Sequence, residues 1–185
     1  MMLDKLMSFK LCLLQGSNPP EVSINYVAPS IRKMGSEPAS KIKALKHILI
    51  HRNTVARTGV ELAEWFNKPG PYKSKCPYHF LVRRDGQVDW CVDLDKATPG
   101  AKNANSSSIQ IAVDWDMHLS IAPDAVYNAL VGITCFVKLL CPEADIQGHM
   151  EQDPLGRSND PKKDCPGKHL DMVKLRKEVK EYLNA

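Results

Sequence analysis

The sequence predicts a single α/β domain in which helices cover a central β-sheet. Its 185 residues are the length of one domain and can bury a full hydrophobic core. Short β-branched and aromatic runs alternate along the chain with segments of helical periodicity. Strands mixed with helices in this way are typical of a sheet covered by helices. No internal repeat and no linker between domains interrupts the pattern.

Composition and charge are those of an ordinary soluble globular protein. Hydrophobic residues make up 43% of the chain and charged residues 25%. The net charge of +4 is small and spread along the sequence, which favours a solvated surface and no nucleic-acid partner. No window approaches the length of apolar chain that crosses a bilayer, so we expect no membrane span. The six cysteines show no disulfide framework, and we expect mostly reduced thiols.

The first 40 residues are weakly patterned. Lys5 and Lys10 interrupt the first apolar stretch, Asp4 lies in the would-be basic region, and no small-residue cleavage site follows. This is a poor secretion signal, so we expect a protein made in the cytoplasm without an evident Sec signal. The three prolines of NPPEVSINYVAPS, residues 18–30, predict a loop or an extended arm.

Three segments have strand character. KHILIH, residues 46–51, is short and β-branched, which predicts a buried strand. YHFLVRRDGQVDWCV, residues 78–92, predicts a hairpin because two strand-like runs flank Asp85-Gly86. SIQIAVDWD, residues 108–116, alternates polar and apolar residues and predicts a half-buried strand. Its expected apolar face consists of Ile109, Ile111, Val113 and Trp115.

Three segments have helical periodicity. Residues 56–68 predict a short helix that ends at the prolines of 69–71, residues 122–143 predict the longest helix, and residues 170–183 predict a final helix. The apolar faces expected for these three helices are, in turn, Val60, Ala63, Trp65 and Phe66; Val126, Leu130, Ile133, Val137 and Leu140; and Leu170, Val173, Val179 and Leu183. Residues 148–167 are rich in loop-forming residues.

Six histidines are candidates for chemistry, and their spacing separates some of them. His47 and His51 share one face of a strand, but their Cα atoms are roughly 13 Å apart, which is too far for both to bind one zinc ion. His51 is the better ligand because it lies at the strand end beside polar residues, and His47 is expected to be structural or exposed. Tyr78 and His79 are adjacent in a strand, so at most one of them faces a site next to His51, and spacing does not choose between them.

His149 and Cys165 lie on irregular segments after the longest helix. Together with His51 they would form a three-ligand set with a fourth position open, as in catalytic zinc sites. His169 lies four residues after Cys165, a spacing that can also bind a metal, but the final helix begins there and we do not expect it to be a ligand. His118 lies in a loop and has no evident partner in the sequence.

Four blocks of the sequence, in order, resemble the zinc-dependent N-acetylmuramoyl-L-alanine amidases, the superfamily of amidase-type phage lysozymes and peptidoglycan recognition proteins. They are ILIHRNT, CPYHFLVRRDGQV, AKNANSSSIQIAV, and GHM followed by KKDCPG. The tyrosine-histidine-phenylalanine hairpin and the lysine-x-cysteine-proline ending are the most specific parts. The resemblance implies a lysozyme-like α/β domain with a central mixed sheet flanked by helices over residues 41–185, and it leaves 1–40 as an N-terminal arm or extension.

The resemblance also implies a site and a reaction. His51, His149 and Cys165 would bind Zn²⁺, and Tyr78 and Lys163 would be catalytic. The enzyme would hydrolyse the amide between N-acetylmuramic acid and L-alanine of the peptidoglycan stem peptide. Zinc lowers the pKa of a bound water molecule to about 7 and polarises the carbonyl. Tyr78 would orient or deprotonate this water, and Lys163 would stabilise the oxyanion.

The sequence departs from the family pattern at four places. PLGRSND, residues 154–160, is an inserted loop beside the expected site. Pro99-Gly100 stand where a histidine is common, which leaves one substrate contact without its usual residue. Gln110 replaces a usual glycine, and Arg52 replaces a frequent second histidine.

Two other functions compete with a lytic amidase. Some members of the superfamily lose the third ligand and only recognise peptidoglycan, so a non-catalytic binding module is the main alternative. A thiol redox protein is disfavoured because the sequence has no Cys-x-x-Cys motif. As an enzyme, the protein would act on the cell wall in the periplasm or outside the cell, either as an endolysin released through a holin or as an antibacterial effector delivered by specialised secretion. We expect a monomer that meets its muropeptide substrate and, as an effector, an immunity or inhibitor protein.

Overall fold

The computed structural model describes residues 19–69, 74–152 and 164–184, and it confirms the α/β class. Within these ranges one sheet contains the strands β1 (Ile24–Tyr26), β2 (His47–Arg52), β3 (Phe80–Val82), β4 (Val88–Trp90), β5 (Ser108–Val113) and β6 (Asp145–Gly148). The helices there are α1 (Ala28–Lys33), α2 (Gly59–Asn67), α3 (Asp124–Leu140) and α4 (Met172–Asn184), with a 3₁₀ helix at His149–Gln152. None of these helices is long and apolar enough to cross a membrane.

The sheet is mixed, as expected, with the strand order β1-β4-β3-β5-β2-β6. β3, β5, β2 and β6 are parallel neighbours. β4 runs antiparallel to β3 in the predicted hairpin, and β1 is parallel to β4. The carboxyl ends of the four parallel strands therefore lie at one edge of the sheet, where α/β proteins commonly place their ligand sites.

The two faces of the sheet are covered by different helices, because alternate residues of a strand point to opposite faces. On one face, Ile50 of β2 belongs to the larger hydrophobic core, together with buried residues of α3 and α4. On the other face, Leu81 of β3 packs in a smaller core with Leu62 of α2 and Ile31 of α1. His51 follows Ile50 in β2 and so faces the side of α1 and α2.

The prediction that β5 is half-buried is wrong, because all six of its residues are buried. β5 lies between β3 and β2 and is covered on both faces, so even its polar residues are enclosed. Both polar side chains make a hydrogen bond there: Ser108 Oγ donates to Ala104 O at 2.8 Å, and Gln110 Nε2 donates to Thr98 O at 2.9 Å. The polar residues in the alternating pattern of β5 therefore lie beside hydrogen-bond partners inside the protein and do not face solvent.

The three predicted helices exist, but the apolar faces expected for α2 and α4 are confirmed only in part. In α2 the buried side chains are Leu62 and Ala63, whereas Trp65 is 45% exposed. In α4 the buried side chains are Leu175 and Val179, whereas Val173 is 73% exposed. The helical period was correct in both cases, and Ala63 and Val179 are buried as predicted. Trp65 and Val173 are not buried, because the neighbours that the fold supplies decide which residues of a helix are covered.

The N-terminal region is more ordered than the predicted loop or arm. β1 pairs with β4, and α1 follows it with Pro29 in its first turn, where proline is favoured. Ile31 of α1 is fully buried in the smaller core. Residues 24–33 therefore pack on the sheet, while the division into an extension of residues 1–40 and a domain of 41–185 stays a prediction.

His79 is fully buried and ties β3 to its neighbours. Its Nδ1 accepts a hydrogen bond from the backbone N–H of Gln110 at 2.9 Å, so Nε2 carries the proton and donates it to Lys96 O, also at 2.9 Å. Burial lowers the pKa of His79 to about 4, although the bond to Lys96 opposes the shift. A second proton would face a backbone donor, so the fold requires neutral His79.

The burial pattern of α4 predicts unequal effects of two truncations on the same helix. Leu175→Ala should lower the free energy of unfolding by about 2–5 kcal/mol, because it leaves a cavity in the larger core. Val173→Ala is the matched control and should change it by less than about 0.5 kcal/mol, since its side chain is exposed. Denaturant unfolding measures both values, and equal losses would contradict the packing of α4.

The environment of His79 predicts a specific pH dependence of stability. Because its pKa is lower in the folded chain than the ordinary 6.5, the unfolded chain binds more protons as pH falls from 6.5 to 4. The free energy of unfolding should therefore decrease as pH falls over this window. The contribution of His79 to that decrease should approach about 3 kcal/mol. In a His79→Gln variant, this contribution to the pH dependence of the free energy of unfolding should be absent. Nitrogen NMR should show the neutral Nε2–H form at pH 5.5, and a protonated ring there would refute this account.

Candidate metal centre

The pairing of β2 with β6 brings two of the expected metal ligands together. Ile50 is paired with Gly148 in the parallel ladder, and each is followed by a histidine. The rings of His51 and His149 consequently lie side by side, with centroids 4.5 Å apart. Residues 98 positions apart in the sequence thus become neighbours through the register of two strands.

Cys165 reaches this pair from the segment before α4. Its carbonyl oxygen accepts a hydrogen bond from the backbone N–H of Met150 at 3.0 Å, and its Sγ lies 3.8 Å from His51 Nδ1. Gly148 makes the approach feasible, because a Cβ atom there would lie 2.8 Å from Cδ of Pro166. Side chains larger than hydrogen at position 148 would push the cysteine segment away from β6.

The three groups form a cluster with the dimensions of a metal site. One ligand atom each from His51, His149 and Cys165 can be chosen so that all lie within 4.8 Å of one another. Donors around a tetrahedral zinc ion are about 3.4–3.6 Å apart, given bond lengths of about 2.0–2.3 Å. A small decrease in the distances between the three ligand atoms would therefore bring them to the spacing of a zinc site. Two nitrogens and one sulfur leave a fourth position open, as in catalytic zinc sites.

The protonation states of these residues also suit a cation. Burial lowers the pKa of His51 well below its ordinary value, and the neighbouring His149 lowers it further. Burial lowers the pKa of His149 as well. Both rings are thus neutral at pH 7, with a lone pair free for a metal. His51 is 1% exposed, and its Nε2 has no hydrogen-bond partner among the described residues.

The cysteine is a thiol unless a cation is present. Burial raises the pKa of Cys165 to about 11, although the backbone N–H and the charge of Arg52 lower it. A bound divalent cation would displace the thiol proton, because the charge of the ion favours the thiolate. The residues therefore fit zinc, which takes mixed nitrogen and sulfur ligands.

Tyr78 lies beside this cluster and His79 does not. The ring of Tyr78 is 4.9 Å from that of His51, between centroids, whereas His79 is enclosed by the backbone groups of Lys96 and Gln110. Burial raises the pKa of Tyr78, and the nearby thiols of Cys165 and Cys76 raise it further. The phenol consequently stays protonated at neutral pH and can donate a hydrogen bond.

The other predicted residues have different fates. Lys163 lies outside the described residues, so its place relative to the cluster stays a prediction. His47 Nδ1 lies 2.5 Å from Asp145 Oδ1, at the start of β2 and far from the cluster along the strand. His169 is exposed, and its backbone N–H donates to Met117 O. The expectation that His118 has no partner is wrong, because its Nδ1 contacts Asp164 Oδ2.

Sequence reasoning missed the roles of the residues next to the ligands. Arg52, which follows His51, forms ion pairs with Asp116 and Asp164. Gln110 lies close enough to His51 to raise the pKa of that ring, and its Oε1 is buried without a partner among the described residues. Arg52 and Gln110 were visible as departures from the family pattern, which was the available signal. Nothing in the sequence pointed to Asp116 or Asp164.

Comparison with known proteins agrees with the fold and with the blocks of sequence that resemble the amidases. No protein of curated function matches the chain. Among solved structures, the endolysin from Thermus scotoductus bacteriophage Ph2119 has a TM-score of 0.66 and 20% identity, covering 84% of this chain and 98% of that one. The N-acetylmuramoyl-L-alanine amidase endolysin LysCS from Clostridium intestinale has a TM-score of 0.62 and 18% identity, covering 92% and 99%.

A recognition protein has the same fold. A variant of Drosophila peptidoglycan recognition protein LB, in complex with tracheal cytotoxin, has a TM-score of 0.60 and 15% identity, covering 80% of this chain and 89% of that one. These identities are low, so the three likenesses establish the fold alone. The family assignment comes from the family model for N-acetylmuramoyl-L-alanine amidase, which matches residues 41–168. The match covers more than half of the sequence, and the chain belongs to the N-acetylmuramoyl-L-alanine amidase family.

Proposed function

We propose that this protein is a zinc-dependent peptidoglycan hydrolase that cleaves the amide between N-acetylmuramic acid and the L-alanine of the stem peptide. The observation that carries the proposal is the cluster of His51, His149 and Cys165, with ligand atoms within 4.8 Å of one another. These side chains are not needed to join the strands, since β2 and β6 already pair through their backbones.

The donor set suits amide hydrolysis. Two neutral imidazoles and one thiolate would leave the bound ion with a net charge near +1, which keeps it a Lewis acid. When bound, zinc would supply a water molecule of lowered pKa and polarise the scissile carbonyl. His51 and His149 are held neutral by burial, so they offer lone pairs at neutral pH without prior loss of a proton.

Tyr78 and Lys163 would act on the substrate from beside the ligands. Because the phenol of Tyr78 stays protonated, it would orient the attacking water or the substrate carbonyl by a hydrogen bond rather than remove a proton. Lys163 precedes Cys165 by two residues and is proposed to stabilise the oxyanion that forms on the carbonyl.

The setting of the reaction follows from the substrate. Peptidoglycan lies outside the cytoplasm, and the likeness to two endolysins favours a bacteriolytic enzyme over a cytoplasmic one. We infer release through a holin or delivery by specialised secretion. The competing function is recognition of peptidoglycan without cleavage, and the likeness to a recognition protein supports it. The intact ligand set favours catalysis.

Loss of the sulfur ligand should abolish both zinc binding and cleavage. Cys165→Ser should reduce the rate of peptidoglycan hydrolysis by more than about 100-fold, because even the loss of a group behind a ligand costs roughly 10–100-fold. His169→Ala is the matched control, since His169 is exposed four residues away, and it should retain the parental rate. Zinc content and mass analysis of released stem peptides measure the two effects.

Each alternative gives a distinct result in the same assay. A Cys165→Ser protein that cleaves as fast as the parent would refute the zinc mechanism. A parent protein that binds muropeptides and releases no stem peptide would instead be a recognition module.

Removal of the Tyr78 hydroxyl should impair chemistry without loss of zinc. Tyr78→Phe should lower kcat by about 10²–10⁴-fold, the usual contribution of a positioned proton donor or acceptor. The parental zinc stoichiometry should remain, because Tyr78 is no ligand in this account. Unchanged kcat would show that the hydroxyl takes no part in the reaction, and kinetic assays beside zinc analysis give both numbers.

A further inference from the structure

Arg52, the residue after His51, forms ion pairs with Asp116 and with Asp164, the residue before Cys165. Its Nη1 lies 2.7 Å from Asp116 Oδ1, and its Nη2 lies 3.5 Å from Asp164 Oδ1. In the chain, Arg52 follows His51 directly, and Asp164 precedes Cys165 directly. The guanidinium therefore spans the gap between the end of β2 and the cysteine segment. Its side chain is 25% exposed, so these pairs are partly shielded from solvent.

The loop after β5 supports this bridge from the other side. His118 Nδ1 contacts Asp164 Oδ2, and the backbone N–H of His118 donates to Asp116 Oδ1 at 3.1 Å. Gly167 lies against the same loop, since a Cβ atom there would be 2.4 Å from the carbonyl carbon of Met117. One loop thus holds both carboxylates that Arg52 engages and also packs on the residues that follow Cys165.

We propose that Arg52 is a positioning residue that sets the distance between His51 and Cys165. The inference rests on the proposed zinc site and extends it to a residue that is not one of its proposed ligands. The two ends of the bridge are held in different ways: β2 pairs with β5 and β6 on its two sides, and the Asp164 carboxylate also contacts His118. With the bridge intact, Cys165 Sγ stays near His51 Nδ1.

A positioning role and a purely electrostatic role of Arg52 predict opposite effects of its substitution on the affinity for zinc. If Arg52 acted only through its charge, removing it would strengthen the binding of a cation, because a positive group near the ion is lost. If it acts by holding the cysteine segment, any change that breaks the bridge weakens binding. Lysine keeps the charge but cannot engage two carboxylates with one planar fork, so Arg52→Lys separates the two effects.

The test measures zinc affinity of the purified metal-free protein by competition with a chromophoric chelator. Arg52→Lys and Arg52→Ala should each bind zinc about 10–100-fold more weakly than the parent, the usual cost of losing support behind a ligand. With Co²⁺ as the probe, both variants should show a weaker sulfur-to-cobalt absorption. Arg84→Ala is the matched control, because Arg84 pairs with Asp114 and has no contact with the cysteine segment among the described residues. Its zinc affinity should stay within about twofold of the parent.

The outcomes separate this inference from the proposed function. Parental zinc affinity in Arg52→Lys, or tighter binding in Arg52→Ala, would overturn the positioning role while leaving the zinc enzyme intact. Failure of the parent protein to bind zinc would overturn both. Equal weakening in Arg84→Ala would mean a general loss of stability, and it would also overturn the specific role of Arg52. The melting temperatures of the metal-free variants, Arg84→Ala included, show whether stability has been lost in general.

Discussion

The site depends first on the parallel pairing of β2 with β6. This ladder fixes Ile50 opposite Gly148, and the histidine after each residue then lies beside the other. A slip of one residue would turn a histidine to the opposite face, since side chains alternate along a strand. The register is held by the hydrophobic face: Ile48 and Ile50 are fully buried against α3 and α4, and moving them would expose that core. The same packing that stabilises the fold therefore aligns the metal ligands.

The electrostatic state of the cluster follows from its burial. Desolvation disfavours charge, so it keeps two imidazoles neutral and the thiol protonated, and it leaves His51 Nε2 and Gln110 Oε1 without partners among the described residues. Unpaired buried polar groups cost roughly 1–3 kcal/mol each. A zinc ion would replace the proton of the Cys165 thiol and accept one lone pair from each imidazole. Arg52 and the carboxylates around it would then preserve the distances that the ion requires.

Much of the fold could be predicted from sequence, because short-range patterns encode it. The hairpin around Asp85-Gly86 and the helix that became α3 were both predicted. The exposure of Trp65 and Val173 and the full burial of β5 could not be predicted, because they depend on which elements lie above and below. Strand β1 was missed because its three residues are stabilised by pairing with β4 and by burial of Ile24 in the larger core, which no local pattern marks.

The site was predictable to the extent that a family pattern records it. Spacing alone left three candidate ligands scattered over 115 residues, and the resemblance united them. The contacts that surround them were beyond sequence reasoning: Arg52 and Asp116 are 64 positions apart, and His118 and Asp164 are 46 apart. Such ion pairs arise where a strand end and loops distant in sequence meet at the end of the sheet, and no local pattern marks them.

X-ray absorption spectroscopy of the zinc-loaded protein counts the donor atoms around the ion and therefore distinguishes the proposed centre from other ligand sets. We expect one sulfur at about 2.3 Å and two imidazole nitrogens at about 2.0–2.1 Å, with an oxygen or nitrogen atom in the remaining position. The sulfur should be absent from the spectrum of the Cys165→Ser protein. A parent spectrum with nitrogen and oxygen donors alone would contradict the assignment of Cys165 and, with it, the proposed centre.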